Sequence, residues 1–600
     1  MLKRHAAVVV LIIVASMFFA VAGCGTSAKS TSGFFVQKNV PVPMRDGVIL
    51  RADVRRPAST GKYPVLIFRT PYSKNEGDPD NEKTFNQAVQ RGYAMVIQDV
   101  RGRYASDGEF AAYENEGKDG YDTIEWAARQ PWSNGRVGTF GLSYPGAVQW
   151  LAAVENPPHL KAMVPAMCFS TLNQFIYFGG VFESAWAHWS YGYMSPDIRV
   201  KKGIPGPKTI EEAEAEWKKL GGEDAFQGWL PSLEMPYLKD TSPYYYSWLE
   251  HQAYDPWWEW GNLRDKYSKV KAAVLNLSGW YDEPYGSEGA VTNYQGLVKS
   301  RAGDKDPRTK LIIGPWIHGV DATGQAASGD RKFSSNAKID YHKTVLDWLD
   351  HYVRGIDNGV STWSNVKVYN MGDNTWLEQN AWPIAGTKNT PVYFGPKGAE
   401  SSPGSIVEKL PFEGTSGFIS DPSNPVKDEF GTNFGGYDLK GLSSRPDVLT
   451  FETQPFSADR TVIGNVGAEL YASSDSPDFD LYCKLLDVAP DGTAFNVESA
   501  GHEVIRASYR DRTPDRKLLQ PGQVVKLTFD SMLTGNTFKK GHKLRVCVMG
   551  SWFPVYSRNL QTGALETVSK DMRKADIQVH FGPQYPSRLV LPIVPSSQVK

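Results

Sequence analysis

Three short segments carry residue types that together can do acyl-transfer chemistry. In Arg136-Val-Gly-Thr-Phe-Gly141-Leu-Ser143-Tyr-Pro-Gly146 a β-prone apolar run delivers Ser143 into a glycine-pinched turn, and a helix-compatible stretch, Ala147 to Val154, follows at once. Small residues let the backbone take such a turn, the hydroxyl stands clear, and the helix N-terminus lends partial positive charge. The spacing is Gly-x-Ser-x-x-Gly rather than the commoner Gly-x-Ser-x-Gly. In Leu275-Asn-Leu-Ser-Gly-Trp-Tyr-Asp282 an apolar strand ends on an acid, and in Leu311-Ile-Ile-Gly-Pro-Trp-Ile-His318-Gly319 a histidine lies in the loop after another. A serine hydroxyl is a poor nucleophile until a base takes its proton, and the base needs a carboxylate to fix its tautomer and steady the imidazolium. Ser143 is therefore the candidate nucleophile, His318 the base and Asp282 its orienter. The other histidines lack this context: His342 and His351 fall on a predicted helix, His159, His188 and His251 in or beside a tryptophan-rich stretch, and His502, His542 and His580 in the β-rich tail.

The elements that must position these residues alternate between strand and helix. Val48–Val54, Tyr63–Phe68, Tyr93–Asp99, Val270–Leu277 and Lys310–Ile313 read as strands, while 81–91, 119–130 and 341–354 read as helices. Apolar strands alternating with helices predict a mostly parallel sheet covered on both faces. The chain order Ser, Asp, His, with each residue at a strand's carboxyl end, is the order of an α/β-hydrolase core. An oxyanion would need two donors. One is the backbone N–H of Tyr144; the loop Phe68-Arg-Thr-Pro-Tyr72 offers the Tyr72 hydroxyl as the second. From 170 to 267 the rhythm breaks into a helix-leaning insert holding Trp186, Trp189, Trp217, Trp229, Trp248, Trp257, Trp258 and Trp260, expected to cap the sheet's carboxyl edge and shape the acyl site. The core is thus expected at 35–169 and 268–357. Short strands from Val366 onward, separated by Gly, Pro, Asp and Asn, predict a separate β-sandwich over 358–600.

Charge is balanced, with 65 Lys and Arg against 66 Asp and Glu and no long basic run, which gives no support for nucleic-acid binding, so no nucleic-acid partner is expected. Lys3-Arg4, the apolar run Ala6 to Ala22 and small residues before a break describe an export signal over 1–23. The ending Val21-Ala22-Gly23-Cys24 resembles the lipobox of bacterial lipoproteins, which implies lipidation of Cys24, cleavage before it, and membrane contact through the lipid alone. Polar residues 24–34 then form a flexible tether. An uncleaved anchor is the alternative, but the apolar run is short of the ~20 residues that span a bilayer. Cys168, Cys483 and Cys547 sit in apolar or strand-like runs without CxxC spacing, so buried free thiols are expected and no metal site.

Arg69-Thr-Pro-Tyr72, Asp99-Val-Arg-Gly102, Gly141-Leu-Ser-Tyr-Pro-Gly146, Gly279-Trp-Tyr-Asp282 and Gly314-Pro-Trp-Ile-His318 together resemble the cocaine esterase / X-prolyl dipeptidyl-peptidase (CocE/NonD) serine hydrolases. The similarity continues through Asp421-Pro-Ser-Asn-Pro425, Arg445-Pro-Asp-Val-Leu449, Ser551-Trp-Phe-Pro554 and Pro586-Ser-Arg-Leu-Val-Leu-Pro592. The resemblance implies an α/β-hydrolase core, a helical cap, a C-terminal jelly roll of the galactose-binding kind, no cofactor, and the roles above for Ser143, His318, Asp282, Tyr72 and Tyr144. The α-amino acid ester hydrolases of this group carry carboxylates shortly after the triad Asp. Here Glu283, Pro284 and Tyr285 follow Asp282, which moves the expectation toward a more apolar acyl pocket touched by Trp280, Pro284 and Tyr285. The expected activity is hydrolysis of small esters or amides. The alternatives are X-prolyl dipeptidyl-peptidase activity and a non-catalytic, carbohydrate-binding surface lipoprotein. Oligomeric state is left open.

Overall fold

The computed structural model describes residues 27–29, 33–75, 79–282, 285–304, 306, 308–397, 403–430, 435–498 and 503–599. Cys24 and the export signal, together with Pro284, lie outside them.

The catalytic half is built on one mixed sheet. Its strands are β1 (Phe35–Pro43), β2 (Ile49–Arg56), β3 (Tyr63–Thr70), β4 (Ala94–Asp99), β5 (Ser133–Leu142), β6 (Leu160–Ala166), β7 (Ala273–Tyr281), β8 (Thr309–Ile317), β9 (Val366–Asn370) and β10 (Thr375–Gln379). They lie in the order β1-β2-β4-β3-β5-β6-β7-β8-β9-β10, and a three-residue strand, Ser27–Lys29, pairs along the β1 edge. From β4 to β9 every neighbouring pair is parallel. Helices α1 (Pro79–Gln90), α2 (Glu116–Ala128), α3 (Tyr144–Ala153), α4 (Glu288–Ser300) and α5 (Tyr341–Leu349) supply the crossovers. β7 is buried along its whole length, as a central parallel strand covered on both faces must be. The strand crossing from β3 to β4 and back to β5 brings the loops after β3, β5, β7 and β8 to one edge.

Between β6 and β7 the chain leaves the sheet to form the cap. It contains helices Ser195–Lys202, Ile210–Lys219 and Pro243–Glu250 and one π-helical turn, Trp189–Met194. Its tryptophans mostly stabilise the cap itself. Trp217 stacks on Phe226 at 3.9 Å, Trp257 stacks on His251 at 4.4 Å, and Trp248 and Trp258 are fully buried.

One boundary differs from expectation. Val366–Asn370, read from sequence as the first sandwich strand, pairs parallel with β8, and β10 closes the hydrolase sheet beside it. A short alternating strand has the same pattern in either sheet; only the partner decides. The jelly roll begins at Lys388–Lys397 and has twelve strands among the described residues, with long pairs such as Arg460–Ser474 against Val525–Phe538 around a core including Leu470, Phe479, Leu481, Leu527 and Val579. Cys168, Cys483 and Cys547 are free and buried. Cys483 pairs with Val548 and Cys547 with Lys484, so the two thiols sit one residue out of register and face opposite sides of the sheet.

Candidate active site

Ser143 occupies the turn between β5 and α3 with φ 69° and ψ −132°. A β-carbon at positive φ is strained, and here the strain is held by hydrogen bonds on both sides. The Ser143 N–H donates to the Ala166 carbonyl on β6 (3.1 Å), while its own carbonyl accepts from Gly146 (2.8 Å) and Ala147 (2.9 Å) as the helix starts. Gly141, at φ 146°, lets the chain enter the turn. Gly146 is required for closeness, since a β-carbon there would lie 2.4 Å from the Ala166 carbonyl oxygen.

Asp282 follows β7 and is completely buried. Its Oδ1 lies 2.7 Å from His318 Nδ1, and its Oδ2 accepts from the buried Ser278 hydroxyl at 2.7 Å. Burial raises the Asp282 carboxyl above its ordinary range, and the His318 ring and Ser278 hydroxyl oppose that shift. His318, in the loop after β8, thus has Nδ1 committed to the acid and Nε2 left for proton transfer. Its ring stacks against Tyr285, with centroids 5.5 Å apart and planes 17° from parallel.

Tyr72 lies in the loop after β3 and lines the same cavity as Ser143. Burial pushes its ionisation up to about 12, so at neutral pH the phenol keeps the proton it would donate. The Tyr144 N–H sits in the first turn of α3, where helix geometry supplies no acceptor. The Tyr144 side chain points elsewhere: its hydroxyl donates to Glu116 at 2.8 Å and accepts from the Tyr113 N–H at 2.9 Å, and Glu116 is paired with buried Arg69 at 2.8 Å.

Ser143, His318, Tyr72 and Tyr285 face a single cavity of about 600 Å³. Phe68, Phe85, Ile97, Trp186 and Trp189 make its walls largely apolar, and His188 and Glu183 contribute polar groups from the cap. Of the cap tryptophans, Trp186 and Trp189 reach the cavity. Tyr285 is more than a pocket wall: its ring stacks against His318, and its hydroxyl bonds to the Tyr113 hydroxyl at 3.0 Å. Ser143 and His318 share the cavity without a direct hydrogen bond between their side chains, and a serine–histidine bond of this kind commonly tightens only around substrate.

Trp280 is a correction. It was expected at the substrate, but strand alternation sends it to the opposite face of the sheet, where it is fully buried with its Nε1 donating to the Tyr369 carbonyl at 2.7 Å. Sequence reasoning also missed the support around Tyr72. Asp99 Oδ1 accepts from the Lys74 N–H at 2.7 Å, with the Lys74 ammonium 3.2 Å from Asp99 Oδ2, and Arg103 Nε donates to the Pro71 carbonyl at 2.8 Å. The signal was present in the Asp99-Val-Arg-Gly102 motif, whose role needed the fold to be seen.

A buried acid on a histidine, a strained serine at a strand–helix turn and a phenol-plus-amide donor pair, all on the carboxyl edge of this sheet, define a serine hydrolase of the α/β-hydrolase fold. Residues 46–321 match the X-Pro dipeptidyl-peptidase (S15) family, and residues 358–590 match the C-terminal non-catalytic domain of X-Pro dipeptidyl-peptidases. The cocaine esterase of Rhodococcus sp. (strain MB1 Bresler) is 31% identical over 582 residues, covering 94% of this chain and 99% of that protein. The chain belongs to this family. Among solved structures, an aminopeptidase from the marine sediment archaeon Thaumarchaeota archaeon superposes with a TM-score of 0.77 at 23% identity, covering 94% of this chain and 96% of the other. An α-amino acid ester hydrolase does so with a TM-score of 0.74 at 24% identity, covering 97% and 100%. Both share the fold from the first sheet through the jelly roll.

Proposed function

We propose that this serine hydrolase is an exported, lipid-anchored esterase that cleaves esters, and more slowly amides, of small apolar acyl groups through an acyl-enzyme. In this reading Ser143 attacks the carbonyl while His318 Nε2 takes its proton and Asp282 steadies the imidazolium. The Tyr72 hydroxyl and the Tyr144 N–H receive the charge that develops on the carbonyl oxygen. His318 then protonates the leaving group, and water activated by the same nitrogen releases the acid.

The observation that carries the reading is the single aromatic-walled cavity on which Ser143, His318 and Tyr72 converge. Its volume lies in the range that encloses most of a small ligand. Similarity to a cocaine esterase over nearly its whole length favours an ester. Export and lipidation rest on the basic, apolar and Val-Ala-Gly-Cys24 sequence of the N-terminus. A second reading, dipeptidyl-peptidase activity, has one observation in its favour: the Glu183 carboxylate lines the same cavity, where it could meet a peptide ammonium.

The test compares p-nitrophenol release from short acyl esters with p-nitroaniline release from a Gly-Pro anilide, using Ser143→Ala as the blank. Ester turnover with a slow anilide supports the proposal. A faster anilide overturns it in favour of the peptidase. Loss of membrane association in Cys24→Ala tests the anchor, and an unchanged membrane fraction would refute it.

A further inference from the structure

The residue that fixes the direction of the Tyr72 hydroxyl belongs to the cap. Trp189 Nε1 donates to the Tyr72 oxygen at 3.1 Å. An indole N–H is a donor only, so it cannot take the phenol's proton. By occupying a lone pair it excludes the orientation in which the Tyr72 O–H would point at the indole, leaving the proton to turn into the cavity that Ser143 also lines. Accepting one hydrogen bond also polarises the phenol toward donating the next. The same indole lies 17° from parallel with the Tyr144 ring at 6.3 Å, against the residue whose amide is the second donor.

The backbone around Trp189 is tied to the Tyr72 loop by a separate route. Trp189 opens the π-helical turn Trp189–Met194, a helix irregularity of the kind often found at functional sites. Arg103, buried to 0% exposure, donates to the Pro71 carbonyl immediately before Tyr72 (2.8 Å), to the Tyr193 carbonyl (3.2 Å) and to the Met194 carbonyl. One guanidinium therefore locks the far end of the π turn to the oxyanion loop, and Asp197 lies 3.8 Å from it. The Tyr72 N–H is held by Thr70 Oγ1 at 3.0 Å. Main chain and hydroxyl are thus restrained independently, the first by Arg103 and Thr70, the second by Trp189.

We propose that Trp189 is a positioning residue for the oxyanion site, its indole N–H carried on the π turn and directing the Tyr72 proton at the substrate carbonyl. Seating the cap and completing the oxyanion site are then a single event. This rests on the serine-hydrolase reading of Tyr72.

The experiment is a double-mutant cycle on the full-length enzyme with a p-nitrophenyl ester. Tyr72→Phe should lower kcat by about 10²- to 10³-fold, the usual cost of one oxyanion donor. Trp189→Phe should lower kcat by roughly 10- to 50-fold with KM within about 3-fold, because the interaction is made in the transition state rather than in substrate binding. In the Tyr72→Phe background the same substitution should cost less than about 2-fold, since Trp189 acts only through the hydroxyl that is gone. Replacing Trp189 with 3-benzothienylalanine, which keeps the ring shape and lacks the N–H, separates the hydrogen bond from packing and should reproduce the Phe result. Equal losses in both backgrounds, or a raised KM with unchanged kcat, would reduce Trp189 to a pocket wall and overturn the proposal. A Tyr72→Phe variant at the wild-type rate would instead remove the oxyanion role of Tyr72 beneath it.

Discussion

At the scale of single residues, the site divides labour between groups that react and groups that restrain. Asp282 is fully buried, and with His318 Nδ1 on one oxygen and Ser278 on the other it has little freedom to do anything but orient the imidazole. The two phenols that share the cavity with Ser143 are held protonated by burial, Tyr72 up to about 12 and Tyr285 well above its ordinary value. Neither can act as a base near neutrality, which accords with His318 as the proposed base. Ser143→Ala is accordingly expected to lower kcat/KM by at least ~10⁴-fold. Circular dichroism and melting temperature should be unchanged, because the strained turn is held by main-chain bonds rather than by the hydroxyl. A residual rate within tenfold of wild type would refute the nucleophile assignment.

At the scale of elements, the decisive contact is α3 against β6. The helix N-terminus can approach the Ala166 carbonyl only because residue 146 has no side chain. Gly146→Ala would push a methyl to 2.4 Å from that oxygen, so α3 must move and Ser143 moves with it. The expected cost is about 1–3 kcal/mol of stability, as for other overpacked interiors. A fall in kcat larger than the fraction unfolded should accompany it, checked by chemical denaturation beside steady-state kinetics. The π turn of the cap is the counterpart on the opposite wall, binding the Tyr72 loop through Trp189 and Arg103.

At the scale of the whole molecule, the jelly roll is joined to the strand that carries the triad acid. Trp280 packs so closely on Gly535 that a β-carbon there would lie 2.4 Å from the indole ring. The Tyr281 hydroxyl donates to the Asn496 carbonyl at 2.8 Å, and Arg331 joins the Tyr281 hydroxyl (2.9 Å) to Asn536 Oδ1 (2.7 Å). Trp280→Ala should therefore cost ~3–5 kcal/mol of stability by opening a cavity at this junction, while KM per folded molecule stays unchanged. A selective rise in KM would return Trp280 to the substrate. The jelly roll also carries a pH dependence. Burial pushes Glu498 up to about 7, with Glu503 adding to the shift and Lys484 opposing it. The native state then holds a proton that the unfolded chain has already released above its ordinary carboxylate value. Stability from this group is full below that value and is lost as pH rises toward about 7. Thermal melts of the wild type between pH 5 and 8 should show this decline, and Glu498→Gln should flatten it. An unchanged slope would mean that another group is responsible.

Chain order, strand ends and glycine-bearing turns were enough to single out Ser143, Asp282 and His318 as candidates, because the chemistry demands particular residue types at the ends of particular elements and both are written locally; Tyr72 in its Pro-Tyr turn stood out only through the family resemblance. The insert between the core segments was legible locally as well, as a long break in the alternation of strand and helix. The face on which a residue finally sits was not. Trp280 and Tyr285 flank the same acid, yet Trp280 packs against the jelly roll while Tyr285 stacks on His318 and on Phe175 of the cap. Val366–Asn370 joined the hydrolase sheet because β8 left an open edge beside it. The restraint on Tyr72 by Trp189, Asp99 and Arg103 links residues up to 117 positions apart. Local pattern determines which groups are able to react; only tertiary packing decides which of their neighbours hold them still.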